Sequence, residues 1–520
     1  MIIRIIIACL LALPALFLTA RYNLHMYQLN GYKNGEHLSW LVKKIRQQWI
    51  LLFALALGIA RSFFDYLALD IVIYMTLGLI CLVYNAMRRM KAKKKLVYTA
   101  RVKRQIVTGL TVFAALAVLF CLFFGIGYLI PYCVIMVGIQ EVYVVVTGVI
   151  NIPLEKMINR YYINDAKRLL KKSKDLKIIG ITGSYGKTSV KFYLQTLLRE
   201  KYSVLVTPES YNTPMGIVKT IRGSLKPTHE IFVCEMGARH VGDIKEDCDI
   251  VHPHMGVITS IGPQHLETFH SIENIKKTKF ELADALPEGG ALFLNGDNEY
   301  IMDKAKEYEN KVFYFAGGEG SGYRAGDIKL SQFGTEFTVT APGGEKEVFR
   351  MKLIGGHNVA NVLGAIAVAH YLGIPLSELK IPVRQLEPVE HRMQMRTSGM
   401  VTIIDDAYNS NPVGSKAALD TLSMFDGTKI LITPGMVELG EKESEYNFKF
   451  GTYAAECCDH ILLVGKKRAE DIKNGVLSRD FPEEKCIVFE KVEDALSFAY
   501  SIKSQTNKYI LLENDLPDNY

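Results

Sequence analysis

Five apolar stretches, at roughly 2–20, 48–64, 67–87, 106–126 and 128–150, precede Pro153, and the chain carries no comparable run after it. A helix needs about 20 predominantly apolar residues, within a range of roughly 17–25, to cross a hydrocarbon core. The first 150 residues are therefore expected to form a membrane α-helical bundle and the rest a globular α/β protein. A length of 520 residues exceeds one ordinary core and implies several domains. The hydrophobic fraction of 49% averages two unlike parts.

The net charge of +7 is also unevenly spread. Arg88, Arg89, Lys91, Lys93, Lys94, Lys95, Arg101, Lys103 and Arg104 form a block with no acid among them. Flanked by apolar spans, the block reads as a cytoplasmic loop touching anionic lipid, and no nucleic-acid partner is expected. The stretch "IIRIIIACLLALPALFLTA" has only Arg4 as a basic residue and is followed by further spans. It reads as an uncleaved anchor. Arg61 and Asp65 interrupt the second stretch. A hairpin of 106–126 and 128–150, turning near Gly127 and Pro131, returns the chain to the cytoplasm near residue 151. The segment 21–47, with Arg21, Lys33, Lys43, Lys44 and Arg46, then also lies inside. Five spans with the N-terminus outside satisfy these cues. A multi-pass protein of the cytoplasmic membrane, with its other domains in the cytoplasm, is the expectation. Asp65 and Asp70 sit near a span junction and Glu141 is alone in the last span, so no clustered acids or histidines suggest an ion path. The nine cysteines include no C-x-x-C pair, which argues against a disulfide framework or a thiolate zinc site.

"LKIIGITG" is a short β-branched strand ending in glycine, and "KTSVKFYLQTLLRE" has helical spacing. Strand, glycine loop and helix N-terminus together present backbone N–H groups and a dipole to phosphate. The loop T-G-x-x-G-K-T-S runs from Thr182 to Ser189, with Ile181 where the common spacing has glycine. Gly183, Ser184, Gly186, Lys187, Thr188 and Ser189 form the candidate phosphate-binding set. Lys187 would meet the β/γ-phosphates and Thr188 a Mg²⁺ ion. Glu235 follows the apolar "IFVC" at a strand's carboxyl edge, where α/β sites lie, and is read as a metal ligand.

The loop begins a series of motifs: "YNTPMG", "EIFVCEMGARHVGDI", "ITSIGPQHLETF", "KTKFELADALPEGGALFLNGDNEY", "GGHNVANVLGAIAVA", "PVEHRMQ", "IIDDAYNSNPVGSKAAL" and "PGMVELGEKE". Their order resembles the Mur ligase family, ATP-dependent amide ligases of peptidoglycan precursor synthesis, and in particular its D-alanyl-D-alanine-adding branch. The resemblance is dense over roughly 175–450. It implies ATP and Mg²⁺, an acyl phosphate made from a peptide or peptidoglycan-precursor carboxylate, and D-alanyl-D-alanine or a similar amine as nucleophile. It further implies catalytic roles for Lys187, His265, Lys279 and Arg392. The metal set would be Thr188, Glu235, His265 and Lys279, with Lys279 a candidate carbamate that helps hold a second Mg²⁺. Asn295 and Asn361 would meet the adenine end of ATP. Arg392 would reach the γ-phosphate on domain closure, and Asp406 and Asn409 would contact nucleotide or acceptor. Surface, core or capping roles remain open for His265, Asn295 and Asn361, as does a solvated helix face for Lys279.

Three departures stand out. Apolar spans occupy the place of the family's UDP-sugar-binding module, so the acceptor could be lipid-linked. Asn447 stands where the branch has histidine, and "ILLENDLPDNY" replaces a basic K-G-S-R-like turn. The expected domains are a helical domain at 1–150, a linker at 151–174, an ATP-binding central domain at 175–385 and a Rossmann-like domain at 386–520. Central strands are expected at 177–183, 203–208, 230–237, 255–261 and 291–297, with a small antiparallel insertion at 311–353. Strands of the last domain are expected near 401–406, 429–433, 460–465, 485–490 and 508–513. Alternatives are a Mur-type ligase for poly-γ-glutamate or a folate-like polyglutamate, and a non-catalytic nucleotide-binding membrane scaffold.

Overall fold

The structure, a computed structural model, describes residues 2–45, 48–89, 95–408 and 410–514. Arg46, Lys91, Lys93, Lys94, Asn409 and the last six residues of the chain lie outside them. The chain divides into two compact units, Met1–Tyr161 and Tyr162–Leu516.

The first unit is helical: Ile2–Leu29, Asn34–Lys44, Trp49–Phe63, Leu67–Arg89, Ala100–Phe124, Leu129–Gly138 and the start of Gln140–Lys172. The five-span expectation is corrected here. Among the described residues three helices are long and apolar enough to cross a membrane: Ile2–Leu29, Leu67–Met87 and Ala100–Phe124. The stretch 128–150 is not one straight span, because the segments Ile126–Gly138 and Gln140–Lys172 meet at a bend of 82°. Counting that bent pair as one span gives four. Trp49–Phe63 has 15 residues, short of the roughly 17 a span needs. Close packing fixes the bend: a Cβ on Gly138 would lie 2.6 Å from the Leu55 backbone nitrogen. The expected turn is present. Gly125 (φ 89°) ends one helix and Pro131 sits in the first turn of another, where its missing N–H costs no helical bond. The charges that interrupt the apolar pattern neutralise each other. Arg61 Nε donates to Asp70 at 2.6 Å, and Arg61 and Arg4 both reach Asp65.

Residues 151–172, expected as a linker, continue the helix Gln140–Lys172. Within the second unit Ala166, Tyr162, Ile163 and Leu169 pack with Ile178, Phe232 and Cys234.

The second unit has two sheets. The first contains β1 (Lys177–Thr182), β2 (Val204–Val206), β3 (Ile231–Glu235), β4 (Met255–Ile258), β5 (Ala291–Asn295), β6 (Lys311–Phe315), β7 (Tyr323–Ser331), β8 (Gly334–Thr340) and β9 (Lys346–Met351). Their order is β2-β3-β1-β4-β5-β6-β7-β8-β9. Strands β1 to β6 pair in parallel, and β1 lies between β3 and β4. Buried on both faces, β1 and β3 are apolar without alternation, as central parallel strands are. The stretch 311–353 is not a separate insertion: β6 and β7 continue the parallel sheet, and β8 and β9 extend it antiparallel. The second sheet contains β10 (Gln394–Ser398), β11 (Val401–Asp406), β12 (Thr428–Thr433), β13 (His460–Val464), β14 (Cys486–Phe489) and β15 (Lys508–Glu513), in the order β10-β11-β15-β12-β13-β14. It is parallel except for the polar edge strand β10, which sequence periodicity does not reveal.

The packing at Gly138 yields a test. Gly138→Leu should destabilise the helical unit by about 1–3 kcal/mol through overpacking against Leu55. Thermal unfolding in detergent would measure it, and an unchanged transition would contradict the close approach.

Candidate active site

The carboxyl ends of β1, β3 and β4 carry the site. After β1 the chain turns through Gly183–Gly186 into the helix Lys187–Leu198. Gly186 has φ 80°, and a Cβ there would lie 2.4 Å from Asn361 Oδ1; a Cβ on Gly183 would lie 2.1 Å from Thr259 Oγ1. A side chain at either position would be strained by the positive φ and would have to displace Asn361 or Thr259. Ile181 stays in the strand, fully buried, so the loop begins two residues later than the common spacing. The loop is latched to the segment after β4. Ser184 N–H donates to the Ser260 carbonyl at 2.7 Å, Tyr185 N–H to Ser260 Oγ at 2.9 Å, and Tyr185 OH to the Pro263 carbonyl at 2.7 Å. Ser189 is buried in the first turn of the helix.

Glu235 is the centre of charge. It is 1% exposed, and Thr188 Oγ1 and Asn212 Nδ2 donate to its Oε1 at 3.1 and 3.0 Å. Lys191 Nζ, itself fully buried, lies 3.0 Å from Oε2 and also donates to the Glu209 carbonyl. Burial alone would raise the Glu235 carboxyl, but Lys191 and Lys187 outweigh it and hold it below the ordinary carboxylate range. Lys187 Nζ lies over the loop, donating to the Gly183 and Ser184 carbonyls at 2.7 and 3.2 Å. Burial, with a contribution from Arg392, lowers Lys187 to about 8 against the pull of Glu235.

The other expected residues fall into two groups. Arg392 stacks over Tyr408, 4.5 Å from the ring centre. Its charge acts on Lys187 and Lys191 of the first sheet and on Asp406 of the second. Lys279 is 2% exposed in the helix Ile272–Asp284. Burial and Lys187 hold it well below the usual ammonium range, while Asp243, Glu281 and Asp247 oppose this. Its environment is therefore not a solvated helix face. Asn361 lies at Gly186. Asn295 is committed to the scaffold, donating to the Thr259 carbonyl and accepting from Asp297 N–H, both at 3.0 Å. Asn409 lies outside the described residues.

His265 sits at a left-handed φ of 51° and pairs through Nδ1 with Glu438 of the loop after β12. Arg239 reaches the same carboxylate at 3.5 Å. Burial lowers His265 against the opposing effect of Glu438, so a neutral ring donating Nδ1–H to a carboxylate describes the pair. Among the described residues no group of three or more His, Cys, Asp and Glu gathers as a metal-holding cluster. Asn447, the departure from histidine, is fully buried. It accepts from Met436 N–H at 2.8 Å and donates to the Met436 and Glu443 carbonyls at 3.1 and 2.9 Å. It therefore fixes the loop that carries Glu438.

Sequence reasoning missed Lys191, Asn212 and Glu438. Lys191 offered a signal, since it falls one helical turn after Lys187, on the face that meets β3. Lys191→Met leaves Glu235 buried without its cation and should cost about 3–5 kcal/mol in denaturant unfolding. Adding Glu235→Gln should recover part of the loss. A cost of less than about 1 kcal/mol for Lys191→Met would be that of an exposed pair and would contradict the geometry.

Comparison with known proteins follows this geometry. Residues 181–369 match the Mur ligase middle domain and residues 391–513 the Mur ligase glutamate ligase domain. The chain is 31% identical over 295 residues to the UDP-N-acetylmuramoyl-tripeptide--D-alanyl-D-alanine ligase of Escherichia coli K12, covering 56% of this chain and 65% of that protein. It is 34% identical over 304 residues to the ligase of the same name from Mycobacterium tuberculosis H37Rv, covering 56% of this chain and 59% of that one. With the ligase of the same name from Bacillus subtilis 168 the identity is 31% over 342 residues, covering 64% of this chain and 71% of the relative. The chain thus spans less than two thirds of the first two relatives and more than two thirds of the third. Among solved structures, MurF from Acinetobacter baumannii superposes with a TM-score of 0.63 at 25% identity, over 70% of this chain and 78% of that one. MurF ligase from Thermotoga maritima in complex with ADP gives 0.62 at 26% identity, over 69% and 80%. The chain belongs to the Mur ligase family.

Proposed function

We propose that the chain is a membrane-anchored ATP-dependent amide ligase that joins D-alanyl-D-alanine to the peptide carboxylate of a peptidoglycan precursor. The observation that carries this reading is the buried Thr188–Glu235–Lys191 arrangement beside the Lys187 loop, with Arg392 of the second sheet directing its charge at the same loop. The names of the similar ligases and the ADP bound in the T. maritima structure support it.

Amide formation needs an activated carboxylate. In the proposed reaction a carboxylate oxygen attacks the γ-phosphorus of ATP, ADP leaves, and an acyl phosphate forms. The amine then attacks the acyl carbon, the C–O bond breaks, and inorganic phosphate departs with the original carboxylate oxygen. Most of the protein's work in such phosphoryl transfer is alignment and charge neutralisation. Loop N–H groups and Lys187 hold the phosphates, while Arg392 adds charge from the other sheet and helps exclude water. Thr188 and the anionic Glu235 offer adjacent hard oxygen donors, a set that fits Mg²⁺. Bound there, Mg²⁺ would neutralise charge on the transferred phosphoryl group. The buried Lys279 amine, biased toward its neutral and nucleophilic form, suits carbamate formation, and the orientation of His265 by Glu438 suits a ligating imidazole.

The helical unit supports anchoring. Phe63, Leu122 and Phe123 are 78%, 75% and 79% exposed among many exposed apolar neighbours, a surface that water disfavours and lipid would cover. Anchoring would raise the local concentration of a lipid-linked acceptor. Ligation of another peptide polymer is a second reading, favoured by the acidic sequence "ENDLP" where the resemblance implies a basic one.

Phosphate release by the full-length protein in detergent, with Mg·ATP and D-alanyl-D-alanine, tests the proposal. UDP-MurNAc-tripeptide and a lipid-linked tripeptide serve as parallel acceptors. Release with either one, lost at least about 100-fold in Lys187→Ala, is expected. Silence with both, alongside release with a glutamyl polymer, would assign the second reading instead.

A further inference from the structure

The second unit holds a carboxyl pair that the proposed reaction does not use. Asp406 ends β11 and Glu513 ends β15, and the two are direct partners in the parallel register of these strands. Glu513 is 1% exposed. Its Oε1 accepts from Ser410 Oγ at 2.6 Å, whereas no donor reaches its buried Oε2. The neighbouring side chain is the Asp406 carboxyl, whose Oδ1 accepts from Met393 N–H at 3.1 Å. Two acceptors cannot satisfy one another unless a proton lies between them. The next residue extends the arrangement: Asn514 accepts from Ser410 N–H at 3.2 Å and donates to the Gly435 carbonyl at 2.6 Å. Glu513 and Asn514 therefore tie the loop after β11 to the loop after β12, at the place where the family resemblance implies a basic sequence.

We propose that Glu513 is a positioning residue that holds a single proton, donates it from Oε2 to Asp406, and so fixes the anionic Asp406 against Arg392 while holding Ser410. Its effect on turnover rests on the ligase reading above, but its effect on folding does not. Burial raises both carboxyls, Glu513 further through Asp406, while Arg392 opposes the shift at Asp406. Among the charged groups around the pair, Asp405 adds to the rise at Asp406. Arg392 is the cation acting on Asp406, and Asp405 is paired with His391 at 2.8 Å. Tyr408 stacks on Arg392, and on the helix packed over β15 Lys416 is paired with Asp420 at 3.0 Å. Raised carboxyls bind protons more tightly when folded. Their stabilisation is complete below the ordinary carboxylate range and is lost as pH rises through the pair's raised value.

The test is thermal unfolding of the full-length protein in detergent from about pH 5 to about pH 9, for wild type, Glu513→Gln and Asp406→Asn. A glutamine amide donates permanently to Asp406 and still accepts from Ser410, and an asparagine at 406 donates to an ionised Glu513. Both variants should lose the alkaline decline of a few degrees that wild type shows over roughly this range. Curves for both variants that parallel wild type would overturn the proposal. Phosphate release adds a second readout: Glu513→Gln should shift the alkaline limb of the pH–rate profile upward by about one pH unit, and an unmoved limb would overturn the positioning role. If no substrate pair gives turnover in wild type, the ligase reading fails, and the unfolding curves still decide the role of Glu513.

Discussion

A carboxylate buried at the end of a central strand governs the architecture around the Gly183–Gly186 loop. Glu235 is anionic inside the protein only because Lys191, Asn212, Thr188 and the charge of Lys187 surround it. An ionised carboxylate without such partners would cost several kcal/mol, of the order found for unpaired buried ions. These partners come from two separate segments. Lys191 and Thr188 lie on the helix after the loop, and Asn212 lies in the connection after β2. The first helix, the loop and β3 must therefore reach their final positions together. The polar network gives the site its position as well as its charge.

The second sheet is aligned to that centre by polar contacts within the same unit. His265 and Arg239 of the first sheet's loops meet Glu438, and Asn447 fixes the backbone on which Glu438 rides. Arg392 sits on Tyr408 and its charge acts on both Lys187 and Asp406. A reaction that transfers phosphoryl and then acyl groups needs both sheets to contribute at one place. The contacts formed by the charged residues of the 434–440 and 388–393 segments suit that need.

The sequence makes some of this legible and conceals the rest for physical reasons. Local patterns reveal β1, the glycine loop, the helix after it and Glu235 at a strand end, because backbone geometry and burial leave short-range signatures. The spacing of Lys191 one turn after Lys187 marks its helix face, but not that a carboxylate 44 residues later will enclose it. The roles of Glu438 and Glu513 are hidden for the same reason: they are pairings across large sequence separations. The bend at Ile139 depends on the close approach of Gly138 to Leu55, so hydropathy alone merges two segments into one span. The 311–353 segment has hairpin signals but no local cue that its first strand joins a parallel sheet.

The fate of one oxygen atom tests the central claim most directly. With the acceptor carboxylate labelled with ¹⁸O and full turnover in Mg·ATP and the amine, the account predicts one ¹⁸O transferred to each inorganic phosphate released. Phosphate that carries no label, while amide product accumulates, would contradict the proposed activation of the carboxylate by a nucleotide at Lys187, Thr188 and Glu235.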